Sequence, residues 1–351
     1  MKLCLLIALS FSLITFADYK ANPVFKDGSD VIWGFDFLNN DQIIFTERDG
    51  KLWIYDQIKK KRSEVTGLPK IKAYGQGGLL DILVLKEKEE IFLYFTYSKE
   101  VGESFNTAFA RAKLKDGQLK DVKDLFVSKV NSDERYHFGS RIILKDNQFY
   151  LTLGDRGQRK NAQDLSNHNG TIVRINKDGS IPKDNPFKDK GLDTIWSYGH
   201  RNPQGIDIDP MTKKIWSVEF GPRGGDELNL IRAGVNYGWP VITYGKEYWG
   251  PSIGNTHKKG MEQPVKHYVP SISPSGMAFY VGDKIEEWRN DLFVAALGSQ
   301  FLLRLKIKND KVVEEKRYFE DLNERIRQVR SGPDGYLYFS TDSGKIFKVI
   351  K

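Results

Sequence analysis

FLNNDQIIFTERDGKLWIYD, residues 37–56, decides the fold. QIIFTER (42–48) and KLWIYDQ (51–57) are strand-length runs rich in β-branched and aromatic residues. The turn formers Asn-Asn-Asp (39–41) and Asp-Gly (49–50) bound them. Such turn residues tolerate positive φ or bond their own backbone, so the stretch reads as strand, tight turn, strand. The pattern returns as ILKDNQFYLTLGDRG at 143–157 and as RSGPDGYLYFSTDSGKIFKV at 330–349. Further runs of the same kind are VIWGFDFL (31–38), IFLYFTYS (91–98), KIWSVEF (214–220), LFVAALG (292–298) and FLLRLKI (301–307). Helical periodicity is nearly absent. Similar hairpins spread over the whole chain disfavour a β-sandwich. They predict an all-β, six-bladed β-propeller, at about 50 residues per blade. Long polar loops at one end of its central channel would build a site from several blades.

The first 20 residues, MKLCLLIALSFSLITFADYK, have Lys2, then an apolar run to Ala17, then polar residues. That is the pattern of a secretory signal peptide. Cleavage is expected after Ala17, leaving 18–351 as a single propeller domain. The alternatives are a buried first strand or an anchor, but a membrane span needs about 20 apolar residues. The one cysteine, Cys4, lies inside this segment. A mature chain then has no disulfide, no thiolate chemistry and no Cys-based zinc site. Net charge is +8, from 54 Lys and Arg against 46 Asp and Glu. The lysines are scattered among acids, as in KEKEE (86–90) and KIKNDK (306–311), so the expected surface is solvated rather than a nucleic-acid footprint.

Several stretches break the hairpin pattern. In AYGQGGLLDI (73–82), Gln76 lies among three glycines. That is either a turn or a place where backbone approaches a ligand. In RYHFGSRIIL (135–144), His137 precedes a strand. It is either a hydrogen-bonded loop residue or a general base. GHRNPQG (199–205) carries Arg201 and Asn202. It reads equally as a capped turn or as a grip on an anion, since guanidinium fits carboxylates bidentately. EFGPRGGDELNLIRAGVNYGWP (219–240) supplies Glu219, Asp226, Glu227 and loop carbonyls around Gly221 and Pro222. Hard oxygen ligands of this kind suit calcium, though acidic loops are often only solvated. In NERIRQVRSGPDG (323–335), Arg325 and Arg327 alternate on one strand face. If that face lines the channel, two buried like charges need an anion between them. If it is an edge, solvent takes them, as nearby Arg330 suggests.

GHRNPQG, GDELNLI with NYGWP, and Arg-x-Arg before PDG resemble, in this order, the pyrroloquinoline-quinone-dependent glucose/sorbosone dehydrogenase family. The resemblance is strongest to its aldose sugar dehydrogenase branch and runs from about residue 28 to 350. TERDG and GQGGLLDI add weaker support. The resemblance implies a six-bladed propeller that oxidises aldoses to lactones. His137 matches the general base that takes the anomeric hydroxyl proton, with hydride passing to the quinone C5. Gln76, Arg201, Asn202, Tyr248, Arg325 and Arg327 match cofactor-binding positions. The Gly221 and Pro222 carbonyls match ligands of a calcium beside the cofactor. Glu227 and Tyr237, the latter through its carbonyl, match a second calcium. The cofactor position at Gly298, in AALGSQFLLRL, holds a lysine in many family members, so one donor is missing here. The loops after Gly157 are short beside the glucose-selective branch, which implies broad aldose use. The implied partners are an aldose, and an electron acceptor that is soluble or in a membrane; no nucleic acid is implied. The expected location is the periplasm, as a monomer or dimer. The competing readings are a calcium-dependent lactonase and a propeller that only binds partners.

Overall fold

The computed structural model describes residues 19–130 and 132–351; the expected signal peptide at 1–17 lies outside the described residues. Twenty-four strands form six four-stranded antiparallel sheets, and the described residues contain no α-helix. The innermost strands are Ile32–Phe37, Leu79–Glu87, Ile142–Lys145, Pro203–Ile208, Pro274–Phe279 and Ile326–Ser331. Each packs on the next and the last packs on the first, which closes a ring of six blades around a channel. The expected six-bladed propeller is what the chain forms. Five blades are consecutive in sequence, but the sixth takes its outermost strand, Lys20–Phe25, from the other end of the chain. That strand pairs with Ile346–Ile350, Ala21 opposite Val349, and so fastens the two ends together.

The core is divided among the gaps between blades. Each neighbouring pair encloses its own apolar cluster. Leu38, Ile44 and Leu52 of blade 1 meet Leu79, Leu93 and Phe95 of blade 2, for example. The gap between blades 5 and 6 is filled by Trp288, Phe293, Val329 and Phe339. Strand alternation supplies both faces of every sheet, so each interior sheet has two buried faces.

Polar groups lock the inner ring. Three inner-strand carboxylates reach one blade onward. Asp36 accepts from the Val84 amide (2.7 Å), Asp81 from Ile142 (3.0 Å) and Asp207 from Phe279 (2.7 Å). Arg141, just before the inner strand of blade 3, is 2% exposed and uses all five N–H donors. Nε donates to Gln204 O (2.7 Å), Nη1 to Trp33 O (3.2 Å) and Asp81 Oδ1 (3.3 Å). Nη2 donates to Ser275 Oγ (3.4 Å) and Arg327 O (2.9 Å). These acceptors lie on blades 4, 1, 2, 5 and 6, so one guanidinium touches every other blade. Burial pulls its pKa down to about 9, which leaves it charged at neutral pH, and its guanidinium carbon lies 3.9 Å from the centroid of the Trp33 ring.

Candidate active site

A cavity of about 360 Å³ opens above Arg141. That is within the range of cofactor pockets, ~300–1,000 Å³. Blade 1 supplies Trp33 and Arg48, blade 2 Gln76, and blade 3 Phe138. Blade 4 supplies Asn202 and Gln204, blade 5 Leu297, and blade 6 Arg325 and Arg327. Three of these residues, Trp33, Gln204 and Arg327, give their carbonyls to Arg141.

His137 stands beside this wall. Its amide donates to Gln76 Oε1 (2.9 Å), and the next residue, Phe138, lines the cavity. The loop is tightly wound: His137, Gly139 and Ser140 all have positive φ (59°, 62° and 82°). Left-handed backbone at a histidine is uncommon and held by its surroundings. Gly154 permits the approach, because a Cβ there would sit 2.1 Å from the His137 carbonyl oxygen. Nδ1 of His137 lies 2.6 Å from Asp155 Oδ1. Asp155 is fully buried and also accepts from the Gly157 amide (2.8 Å) and the Trp239 indole N–H (2.8 Å). Burial opposes its charge, but His137, Arg201 and these donors outweigh burial and hold the carboxyl below its usual range. An ionised carboxylate only accepts, so Nδ1 carries the proton and Nε2 keeps its lone pair. Burial pushes the His137 pKa down, Asp155 works against that, and Arg201 and Arg156 add to the lowering. The lowering favours the neutral imidazole, with Nε2 free to take a proton.

GHRNPQG forms a turn, and two of its residues reach the cavity. His200 is fully buried, stacked on Tyr237 (4.6 Å), and sits between Ser197 and Glu219. Asn202 and Gln204 line the cavity. The Asn202 side-chain oxygen accepts from the Gly139 amide (3.2 Å) and from Gln204 (3.2 Å), which ties blade 4 to the His137 loop. Arg201 is fixed by its amide to Glu219 (2.7 Å), and its Nη1 donates to Phe220 O (2.7 Å) and Gly221 O (2.8 Å). On blade 6, Arg325 and Arg327 do share an anion, and it is the protein's own. Asp342 takes Arg327 through two bonds (2.7 and 2.9 Å) and Arg325 through one (2.9 Å). Arg330 is not at a solvent edge: it donates to Ile82 O (2.9 Å) inside the channel.

A common device was not recognised from sequence. At or just past the end of the second strand in four blades stands a carboxylate: Glu47, Asp155, Glu219 and Asp342. Each holds loop residues in place. Glu47, for instance, accepts from Ser29 and from the Trp53 indole (2.9 Å). From sequence alone Asp155, Asp342 and Arg48 stand out only as parts of the repeated hairpin stretches.

The remaining expected positions lie further out. Pro222 and the exposed Tyr248 line an adjacent groove of about 610 Å³, with Phe220 the wall shared with the cavity. Gly298 is exposed, and a Cβ on it would meet Ser273 Oγ at 2.5 Å. Glu227 lies opposite Glu219 across two paired strands, and the Asn229 amide donates to both (3.2 and 2.9 Å). Burial, then the charge of Glu219, pushes the Glu227 carboxyl well up. Asn229 Oδ1 is buried with no partner among the described residues. Two carboxylates and an orphaned amide oxygen are a donor set that fits a hard cation. The Tyr237 hydroxyl is committed to Leu230 O (2.6 Å) and the Arg232 amide (2.9 Å), so only its carbonyl is left to offer.

The chain matches the family described as Glucose / Sorbosone dehydrogenase over residues 29–348. It is 39% identical to the aldose sugar dehydrogenase YliI of Escherichia coli strain K12, over 93% of this chain and 91% of that protein. The crystal structure of the soluble aldose sugar dehydrogenase of Escherichia coli in its apo form superposes with a TM-score of 0.89. That match has 36% identity and covers 95% of this chain and 99% of the other. The PQQ-bound aldose sugar dehydrogenase of Streptomyces coelicolor superposes at 0.77, with 25% identity over 95% and 98% of the two chains. The chain belongs to the glucose/sorbosone dehydrogenase family and is an oxidoreductase that acts on sugars.

Proposed function

We propose that the chain oxidises aldoses to lactones with pyrroloquinoline quinone bound in the cavity, in the presence of calcium, and passes the electrons to an external acceptor. The observation that carries this is His137, its Nδ1 2.6 Å from buried Asp155, beside a cavity walled by three arginines. A quinone with three carboxylates suits such a wall. Arg325 and Arg327 would hold carboxylates, while Gln76 and Asn202 position the His137 loop. Arg201 lies near the Gly221 carbonyl, where a carbonyl oxygen has a second lone pair for a cation. Glu227, Asn229 and the Tyr237 carbonyl offer a second cation site. When bound, the quinone supplies a two-electron acceptor, and a calcium beside it the charge that polarises the accepting carbonyl. His137 Nε2 removes the anomeric hydroxyl proton, and Asp155 stabilises the imidazolium that results. The apolar start of the sequence supports export to the periplasm.

Dye-linked oxidation of a panel of aldoses by the purified apoprotein tests this. Calcium, the quinone and both together are added in turn, with His137→Gln alongside. Activity only with both, lost in the variant, is expected. Absence of turnover at saturating quinone refutes the proposal. In that case, retained quinone binding points to a propeller that binds without catalysing.

A further inference from the structure

Arg48 follows the second strand of blade 1 and lines the cavity with its side chain 29% exposed. Its backbone is clamped, the amide donating to Val31 O (3.0 Å) and the carbonyl accepting from the Leu79 amide (3.2 Å). Gly78 lets blade 2 close over it, since a Cβ there would stand 1.8 Å from the Arg48 carbonyl oxygen. The Arg48 backbone is thereby fixed on the wall between blade 6 and Gln76. Its Nη1 donates to Gly75 O, and Nη2 lies a long 3.5 Å from Asp30.

The charge environment sets this arginine apart. Arg325 and Arg327 divide one carboxylate, Asp342, between them. Arg48 has a neutral carbonyl as its close partner, so more of its charge is left for a ligand. Blade 5 contributes only apolar Leu297 to the cavity, and the next residue, Gly298, has no side chain. The positive wall therefore runs across blades 6 and 1. A ligand with several carboxylates, held by Arg325 and Arg327, meets its next cation on blade 1.

We infer that Arg48 is a third anion-binding residue of this cavity and takes one carboxylate of the cofactor. This rests on the cavity being the quinone site. The test is equilibrium binding to the full chain in saturating calcium, read by quenching of tryptophan fluorescence. Trp33 lines the cavity and reports occupancy. The probes are pyrroloquinoline quinone and its trimethyl ester, which lacks the charges. The proteins are wild type, Arg48→Gln, Arg48→Lys and Arg327→Gln, each first shown to unfold at a similar temperature. Arg48→Gln is expected to weaken binding of the quinone roughly tenfold, the scale of one charge-assisted bond. Arg48→Lys recovers part of that, and binding of the ester is unchanged. Wild-type affinity in Arg48→Gln beside weakened binding in Arg327→Gln overturns the role of Arg48. An equal loss for quinone and ester also overturns it, because Arg48 would then only prop the Gly75 loop. Unchanged binding in Arg327→Gln, or none in wild type, removes the quinone assignment itself.

Discussion

Replacing Arg141 with lysine tests whether one guanidinium fastens the ring of blades. Lysine keeps the charge but concentrates three donors at one point. It cannot reach acceptors spread over five blades, from Gln204 O on one side to Ser275 Oγ and Arg327 O on the other. At least two buried acceptors lose their donor, at about 1–3 kcal/mol each. Asp81 keeps a partner, because Arg330 lies 3.8 Å away. The expected cost is therefore about 4 kcal/mol, a large part of the ~5–15 kcal/mol that holds a native protein together. Unfolding entropy of about 2.1 cal/mol/K per residue, over roughly 330 residues, gives ~0.7 kcal/mol/K. Arg141→Lys should thus lower Tm by about 6 °C, followed by circular dichroism at 218 nm or so, in the strand band. A fall of less than about 1 °C would mean that the five bonds contribute nothing net.

Other outcomes follow from the carboxylates. Asp155→Asn removes the group that raises the His137 pKa against burial and Arg201. The acid limb of kcat/KM should move to lower pH, while kcat falls about 10²–10⁴-fold. An unmoved pH profile would separate Asp155 from the base. Asp207 is half-buried beside a small inner cavity, and its pKa is raised to about 6, first by desolvation, against bonds from Phe279 and Ile208 and the charge of Arg330. Its folded pKa exceeds the unfolded value, so stability falls as pH rises from about 4 to about 6. Asp207→Asn should accordingly stabilise by up to about 3 kcal/mol at pH 7.5 and by nothing near pH 3.5, measured by chemical denaturation. Calcium at ~100 times its Kd should stabilise the wild type by about 2.7 kcal/mol. The part contributed by the Glu227 site should grow with pH, because Glu227 must lose its proton to bind, and Glu227→Gln should cut the shift to what the Gly221 site leaves. The same thermal shift in that variant would place the cation elsewhere.

The repeat was legible because its turns have local chemistry. Asp146 and Asn147 in KDN, and Gly50, Gly335 and Gly344 in the other turns, all have the positive φ that these residues tolerate. The closing strand was not legible. KANPVF carries no hairpin signal, and its partner lies at the far end of the chain. The arginine pair and His137 stood out by residue type and spacing. Their supports did not, because Asp155 and Asp342 sit in turns where an aspartate already has a local reason to be. Only the fold shows that the same side chains point back and hold His137 and Arg327. His200 misleads in the other direction. Beside Arg201 it looks like part of a polar grip, yet it is packed between Tyr237, Ser197 and Glu219.

The proposed chemistry stands on His137 being the base for sugar oxidation at this cavity. The direct measurement is an anaerobic single turnover. Wild type and His137→Gln, both loaded with quinone and calcium, are mixed with an aldose, and the quinone absorbance is followed. Rapid reduction is expected in wild type. In the variant the quinone still binds and the rate falls by about 10²–10⁴. Reduction in His137→Gln as fast as in wild type would contradict it.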